Sequence, residues 1–171
     1  GPAGADGAQG PQGIQGIQGT QGASGSGAPT YTVLGSNQTN ATTSYADITG
    51  MSLSVAASTR YAIECVIRYN ANATTTGIGL SWTGPASPTL TAAQMLSGLT
   101  AATRGGTTIA GNDTGSVTTA SVATTNNVAT VQGFWSNGAN AGTLQFRFRS
   151  EVAVASAIVS QAGSWCRSSI Y

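Results

Sequence analysis

From residue 31 onward, apolar side chains recur at every second position in short runs, and Gly, Pro, Asn and Ser break the runs. The clearest run is 59–69. Tyr61, Ile63, Cys65, Ile67 and Tyr69 share one face, and Arg60, Ala62, Glu64, Val66 and Arg68 share the other. A second run lies at 142–152, where Leu144, Phe146, Phe148 and Val152 oppose Gln145, Arg147, Arg149 and Glu151. A period of two is that of a half-buried strand, with a core face and a wet face. The same pattern predicts strands near 31–34, 44–48, 51–55, 76–83, 88–96, 107–110, 116–122, 127–136, 154–159 and 163–170. Turn chemistry separates them at Ser36-Asn37, Thr49-Gly50, Gly84-Pro85, Gly105-Gly106, Gly111-Asn112-Asp113, Asn126-Asn127 and Asn137-Gly138. A helix over 91–97 competes with the strand at 88–96. Many short strands at this spacing predict an all-β fold, a sandwich or jelly roll.

The first 25 residues follow a different rule. Gly1, Gly4, Gly7, Gly10, Gly13, Gly16, Gly19, Gly22 and Gly25 fall at every third position without a miss. Strict Gly-X-Y periodicity is the signature of the collagen triple helix, in which only Gly fits at the crowded axis. A triple helix requires three chains, so this segment predicts a homotrimer. At ~3 Å per residue the stem is about 70 Å long. It is poorly preorganised, because Pro2 and Pro11 are its only prolines and neither is in the third triplet position. The trimer therefore needs a second device that holds the chains in register. The repeat gives way at 26–30 to a Ser/Gly/Pro hinge, and the domain from 31 to 171 is expected to be a trimerising head.

Composition narrows the function. Gly, Ala, Ser and Thr make up 95 of the 171 residues. The chain has six Arg, five Asp and Glu, no Lys and no His, and a net charge of +1. Six scattered Arg do not form the basic footprint of a nucleic-acid binder. Without His, Ser-His and Cys-His catalysis and His-ligated metal sites are excluded. No apolar run approaches the ~20 residues that cross a bilayer as a helix. Apolarity is low, but net charge is also near zero, which argues against disorder and for a small-residue β protein that buries further surface by oligomerising. Gly1 stands where an initiator Met would, which suggests a piece of a longer or processed protein.

The charged residues cluster on the two clearest strands. Arg60, Glu64, Arg68, Arg147, Arg149 and Glu151 either form a solvated surface or an Arg–Glu network that sets register in the trimer interface. The carboxylates Asp47, Glu64, Asp113 and Glu151 do not resemble a hydrolase pair, because Glu64 and Glu151 each have an Arg nearby. Asp113 in its Gly/Asn turn fits an Asx turn better than an ion site. Trp82 and Trp135 each precede a turn, where they either stack on sugars or close the ends of the core. No enzyme, cofactor or metal is expected.

Residues Ala73–Thr89 (ATTTGIGLSWTGPASPT) and Gly142–Val152 (GTLQFRFRSEV), with Gln161–Ser164 after them, resemble the heads of collagen-like fibre proteins from tailed bacteriophages and prophages. The stretch GPQGIQGIQG at 10–19 is similar to their stems. The resemblance implies a homotrimeric tail, neck or head fibre on the virion surface, docked to other virion proteins through an N-terminal region and touching host surface polysaccharide. The stem-and-head plan is also similar to that of C1q/TNF-like proteins, whose heads are trimeric jelly rolls, and of collagen-like proteins of bacterial spore or cell surfaces. By the jelly-roll analogy, 59–69 and 163–170 are antiparallel neighbours. Cys65 and Cys166 both alternate with apolar residues, so such neighbours allow a disulfide; two buried thiols are the alternative.

Overall fold

The computed structural model of the protein describes residues 1–5, 7, 28–98, 103–109, 112–115 and 117–171. Gly1, Gly4 and Gly7 are exposed and belong to no strand, while Gly10, Gly13, Gly16, Gly19, Gly22 and Gly25 lie outside the described residues. Ala28 and Pro29 lead directly into the first strand.

Among the described residues eleven strands follow: β1 (Thr30–Val33), β2 (Gln38–Asn40), β3 (Ala46–Val55), β4 (Arg60–Ala71), β5 (Ile78–Thr83), β6 (Leu90–Gly98), β7 (Arg104–Ile109), β8 (Asn127–Ser136), β9 (Gly142–Ser150), β10 (Ile158–Ser160) and β11 (Trp165–Ile170). Among the described residues there is no helix, and 91–97 is strand. There Ala93, Met95 and Ser97 are buried at a period of two, which no helix would give. The pairing is antiparallel throughout. The larger sheet runs β1-β11-β4-β8-β6-β7, with β10 joining β2 to β4; the smaller runs β3-β9-β5.

The two sheets enclose one core. The larger contributes Tyr61, Ile63, Cys65, Ile67, Met95, Val131 and Trp135, and the smaller Ile48, Met51, Leu53, Leu80, Trp82, Phe146 and Phe148. The segments expected at 44–48 and 51–55 form one strand, β3, whose register against β9 shifts between Asp47 and Ser52. Gly50, at φ +85°, supplies the left-handed turn of that bulge, so Ile48 and Met51 are both buried although three residues apart. Of the expected strand at 116–122, the described residues 117–122 form instead an irregular strap with one bridge, Gly79 to Val117. The last expected strands shorten to β10 and β11, because Ser156 at φ +51° turns the chain before Ile158.

The register defines two poles. Thr30, the first residue of β1, lies opposite Ser168 of β11, and the Tyr171 N–H donates to the Arg60 carbonyl. Entry of the chain and its last residue thus share one pole. The connections 72–77, 122–126 and 151–157 lie at the other, beyond the ends of β4, β8 and β9.

Candidate interaction surface

The two outward faces of the sandwich differ in chemistry. On the larger sheet, the register aligns Tyr31, Arg167, Glu64, Gln132, Gln94 and Thr108 as one row across six strands. A second row reads Val33, Trp165, Val66, Thr130, Leu96 and Gly106, and a third Ser169, Ala62, Phe134 and Ala92. This face leaves Tyr31 56%, Val33 57%, Leu90 47%, Val128 47% and Phe134 47% exposed. Tyr31 and Trp165 form a ridge with ring centres 6.1 Å apart, and Phe134 meets the ring of Tyr171 edge-on at 5.5 Å. Between ridge and Phe134 lies an open hollow of about 500 Å³, bounded by Glu64, Arg167, Gln94, Gln132 and Phe134 and floored by Ala62 and Gly133.

One ion pair crosses this face. Arg167 donates from Nε to Glu64 Oε2 at 2.9 Å and from Nη1 to the Tyr31 hydroxyl at 3.4 Å. The Tyr31 hydroxyl, then the Glu64 carboxylate, raise the guanidinium pKa above its ordinary value. The pair is locally neutral, so it costs the face little of its apolar character.

The smaller sheet's outward face is polar. Arg147 lies between two carboxylates, 2.8 Å from Asp47 and paired also with Asp113, and donates from Nη2 to the Tyr45 carbonyl at 2.8 Å. The Arg149 guanidinium sits 5.1 Å from the centre of the Tyr45 ring and donates to the Thr43 carbonyl. Burial raises the Tyr45 phenol pKa above its usual 10.0, against a smaller lowering from Arg149. The strap formed by 112–115 and 117–121 closes over the β5 edge of this sheet. Thr118 Oγ1 accepts from the Ile78 N–H at 3.1 Å, and Ser121 Oγ donates to the Thr76 carbonyl at 2.6 Å. Gly115 lies against the Leu80 carbonyl and the Tyr45 hydroxyl, where a Cβ would collide. Covering an edge in this way removes a template for strand addition.

These positions divide the charges read as a solvated surface or an Arg–Glu network between the two sheets. Arg60, Glu64 and Arg68 lie on the larger sheet, Arg147 and Arg149 on the smaller, so the core separates them. Alternation assigns residues to faces of a strand but not strands to sheets. Arg68 donates to the Ala162 carbonyl, Glu151 accepts from the Gly77 N–H, and Arg60 has no ion pair among the described residues. The two aspartates that do come together, Asp47 and Asp113, share the one guanidinium of Arg147.

Trp82 and Trp135 are both fully buried, so of the two readings open for them the structure bears out core closure and not sugar stacking at the surface. They meet edge to face at 6.4 Å, Trp82 from the smaller sheet and Trp135 from the larger, and pin the sheets together. Cys65 and Cys166 are directly opposed on β4 and β11, buried, and joined by a disulfide with Cα atoms 4.0 Å apart. Among the described residues no group of His, Cys, Asp and Glu could hold a metal ion, and no helix is long and apolar enough to cross a membrane.

No family model matches this chain, and no curated protein is significantly similar to it. The surface is therefore argued on its own residues. Sequence reasoning missed Tyr31, Phe134, Trp165 and Arg167. The signal was present in Phe134-Trp135. Neighbours on a strand point to opposite faces, so one of two large aromatic residues must leave the core.

Proposed function

We propose that the protein is a non-enzymatic structural fibre: a homotrimeric collagen-like stem, residues 1–25, that carries a jelly-roll head, residues 31–171, across the hinge at 26–30. The single observation that carries this reading is the run of nine glycines in strict register, a pattern with one physical use, the three-chain helix. The apolar outward face of the larger sheet supports it. Monomers rarely expose a broad apolar patch, whereas a head that must hold a weak stem in register needs one. The sequence resemblance supports a position on the surface of a tailed-phage particle, as a tail, neck or head fibre anchored to other virion proteins. There three copies of a Thr-rich, nearly uncharged head suit weak, multivalent contact with host polysaccharide.

Light scattering on the purified chain tests the trimer, and a mass of one chain overturns it. Immunogold electron microscopy with an antibody against the head tests the placement. Label at the tail tip makes the protein a receptor-contacting fibre, and label at the neck or capsid makes it an accessory appendage. Label on a bacterial spore or cell coat overturns the phage reading in favour of a coat protein.

A further inference from the structure

We infer that the three heads close a ring through the outward face of the larger sheet, the Tyr31–Trp165 ridge of one copy seating in the hollow beside Phe134 of the next. The inference rests on the proposed trimer and adds which surfaces meet.

A three-fold ring cannot be built by pairing one patch with itself; it needs two different, complementary patches on each copy. This face carries both. The ridge lies at the β1–β11 edge, and the hollow lies across β4, β8 and β6. The repeat that requires three chains ends at Gly25 and enters the sheet at β1, the strand that bears Tyr31 and Val33 on this face. Chains joined there are held close enough for the β1 edge of one copy to reach the sheet face of the next. Chemistry selects this face over the other. Here most of the exposed large side chains are apolar, the Arg167–Glu64 pair is internally neutral, and the exposed Arg60, Arg68 and Arg104 lie outside the lining of the hollow, whereas the smaller sheet presents Asp47, Asp113, Arg147 and Arg149. The Gln94 and Gln132 amides at the hollow make no hydrogen bond among the described residues and are free to meet a neighbour's polar groups.

The test uses the whole chain. Its native cysteines are bonded to each other and none is free, so a maleimide reagent reacts only with introduced thiols. Val33→Cys and Gln94→Cys are made singly and together, and treated with a flexible bismaleimide. The expected result is covalent dimer and trimer on a denaturing gel from the double variant and none from either single one. Covalent dimers from a single variant would mean that like patches meet, and would overturn the inference. So would a trimer by light scattering in which the double variant does not cross-link and both thiols label freely. That outcome leaves the trimer standing and frees the face for another ligand, such as a glycan, whereas a monomer by light scattering overturns the trimer itself. As a second measurement, Phe134→Glu should shift the mass toward one chain without lowering the monomer's melting temperature, since Phe134 is half exposed. An undiminished trimer refutes the proposed contact.

Discussion

Replacing Cys65 and Cys166 together by Ala should remove a large part of the head's stability. The bond closes a loop of 101 residues. A loop of that length, left open in the unfolded chain, regains about 16 cal/mol/K, or about 4.7 kcal/mol at 25 °C. Two buried sulfur atoms are also lost from packing, at about 1 kcal/mol or more. Unfolding entropy runs at ~2.1 cal/mol/K per residue, so over roughly 140 head residues the loop term alone lowers Tm by about 15 °C. Thermal and urea unfolding should be compared at equal chain concentration, because an oligomer's melt depends on it. Cys65→Ala alone should match the double variant to within about 1 kcal/mol, since either change opens the loop. The bond is fully buried, so reductant added to folded protein should act only as fast as the core opens. A loss below about 1 kcal/mol would refute the chain-entropy account. Two titratable thiols per unfolded, unreduced chain would show that the bond does not form.

The strap and the stem yield three further expectations. Gly115→Ala places a Cβ 2.6 Å from the Tyr45 hydroxyl and 2.8 Å from Ser81 Cβ, so it should cost about 1–3 kcal/mol in urea unfolding; an unchanged midpoint would mean that the strap does not seat there. The fold favours neutral Tyr45, whose contribution is complete below pH 10 and declines as pH rises through its raised folded-state value; Tyr45→Phe should flatten the alkaline fall in Tm, and an identical profile refutes the assignment. Gly13→Ala should weaken the collagen signal in circular dichroism while the head stays trimeric by light scattering, and a monomeric head would show that the stem, not the head, holds the chains.

The fold was legible where the pattern was physically forced. β4 and β9 follow directly from their alternation, because one face of each is buried along its whole length. β3 read as two strands because the bulge at Gly50 shifts the buried set by one residue, which breaks a period-two pattern without ending the strand. β2 was missed because Gln38, Thr39 and Asn40 carry no apolar signal; its place comes from pairing with β10 and from the Asn40 amide, which donates to the Phe148 carbonyl. Residues 116–122 have strand-like composition, yet Thr118 and Ser121 spend their hydroxyls on the backbone of β5 and its approach, which holds them as a strap. Charges were legible as residue types but not as partners. Glu64 meets Arg167 and Arg147 meets Asp47 only because of pairings between strands far apart in sequence.

The two poles set what the protein can carry. A tag or enzyme fused after Tyr171 emerges at the pole where the chain enters the sheet, beside the stem in the proposed fibre. The exposed run 152–156 faces the opposite pole. A guest peptide spliced there would be presented at the far end of the domain, away from Thr30 and Tyr171, and in three copies if the proposed trimer holds. For anyone wishing to use the molecule as a display scaffold, that internal turn and not a fusion after Tyr171 is the outward-facing address.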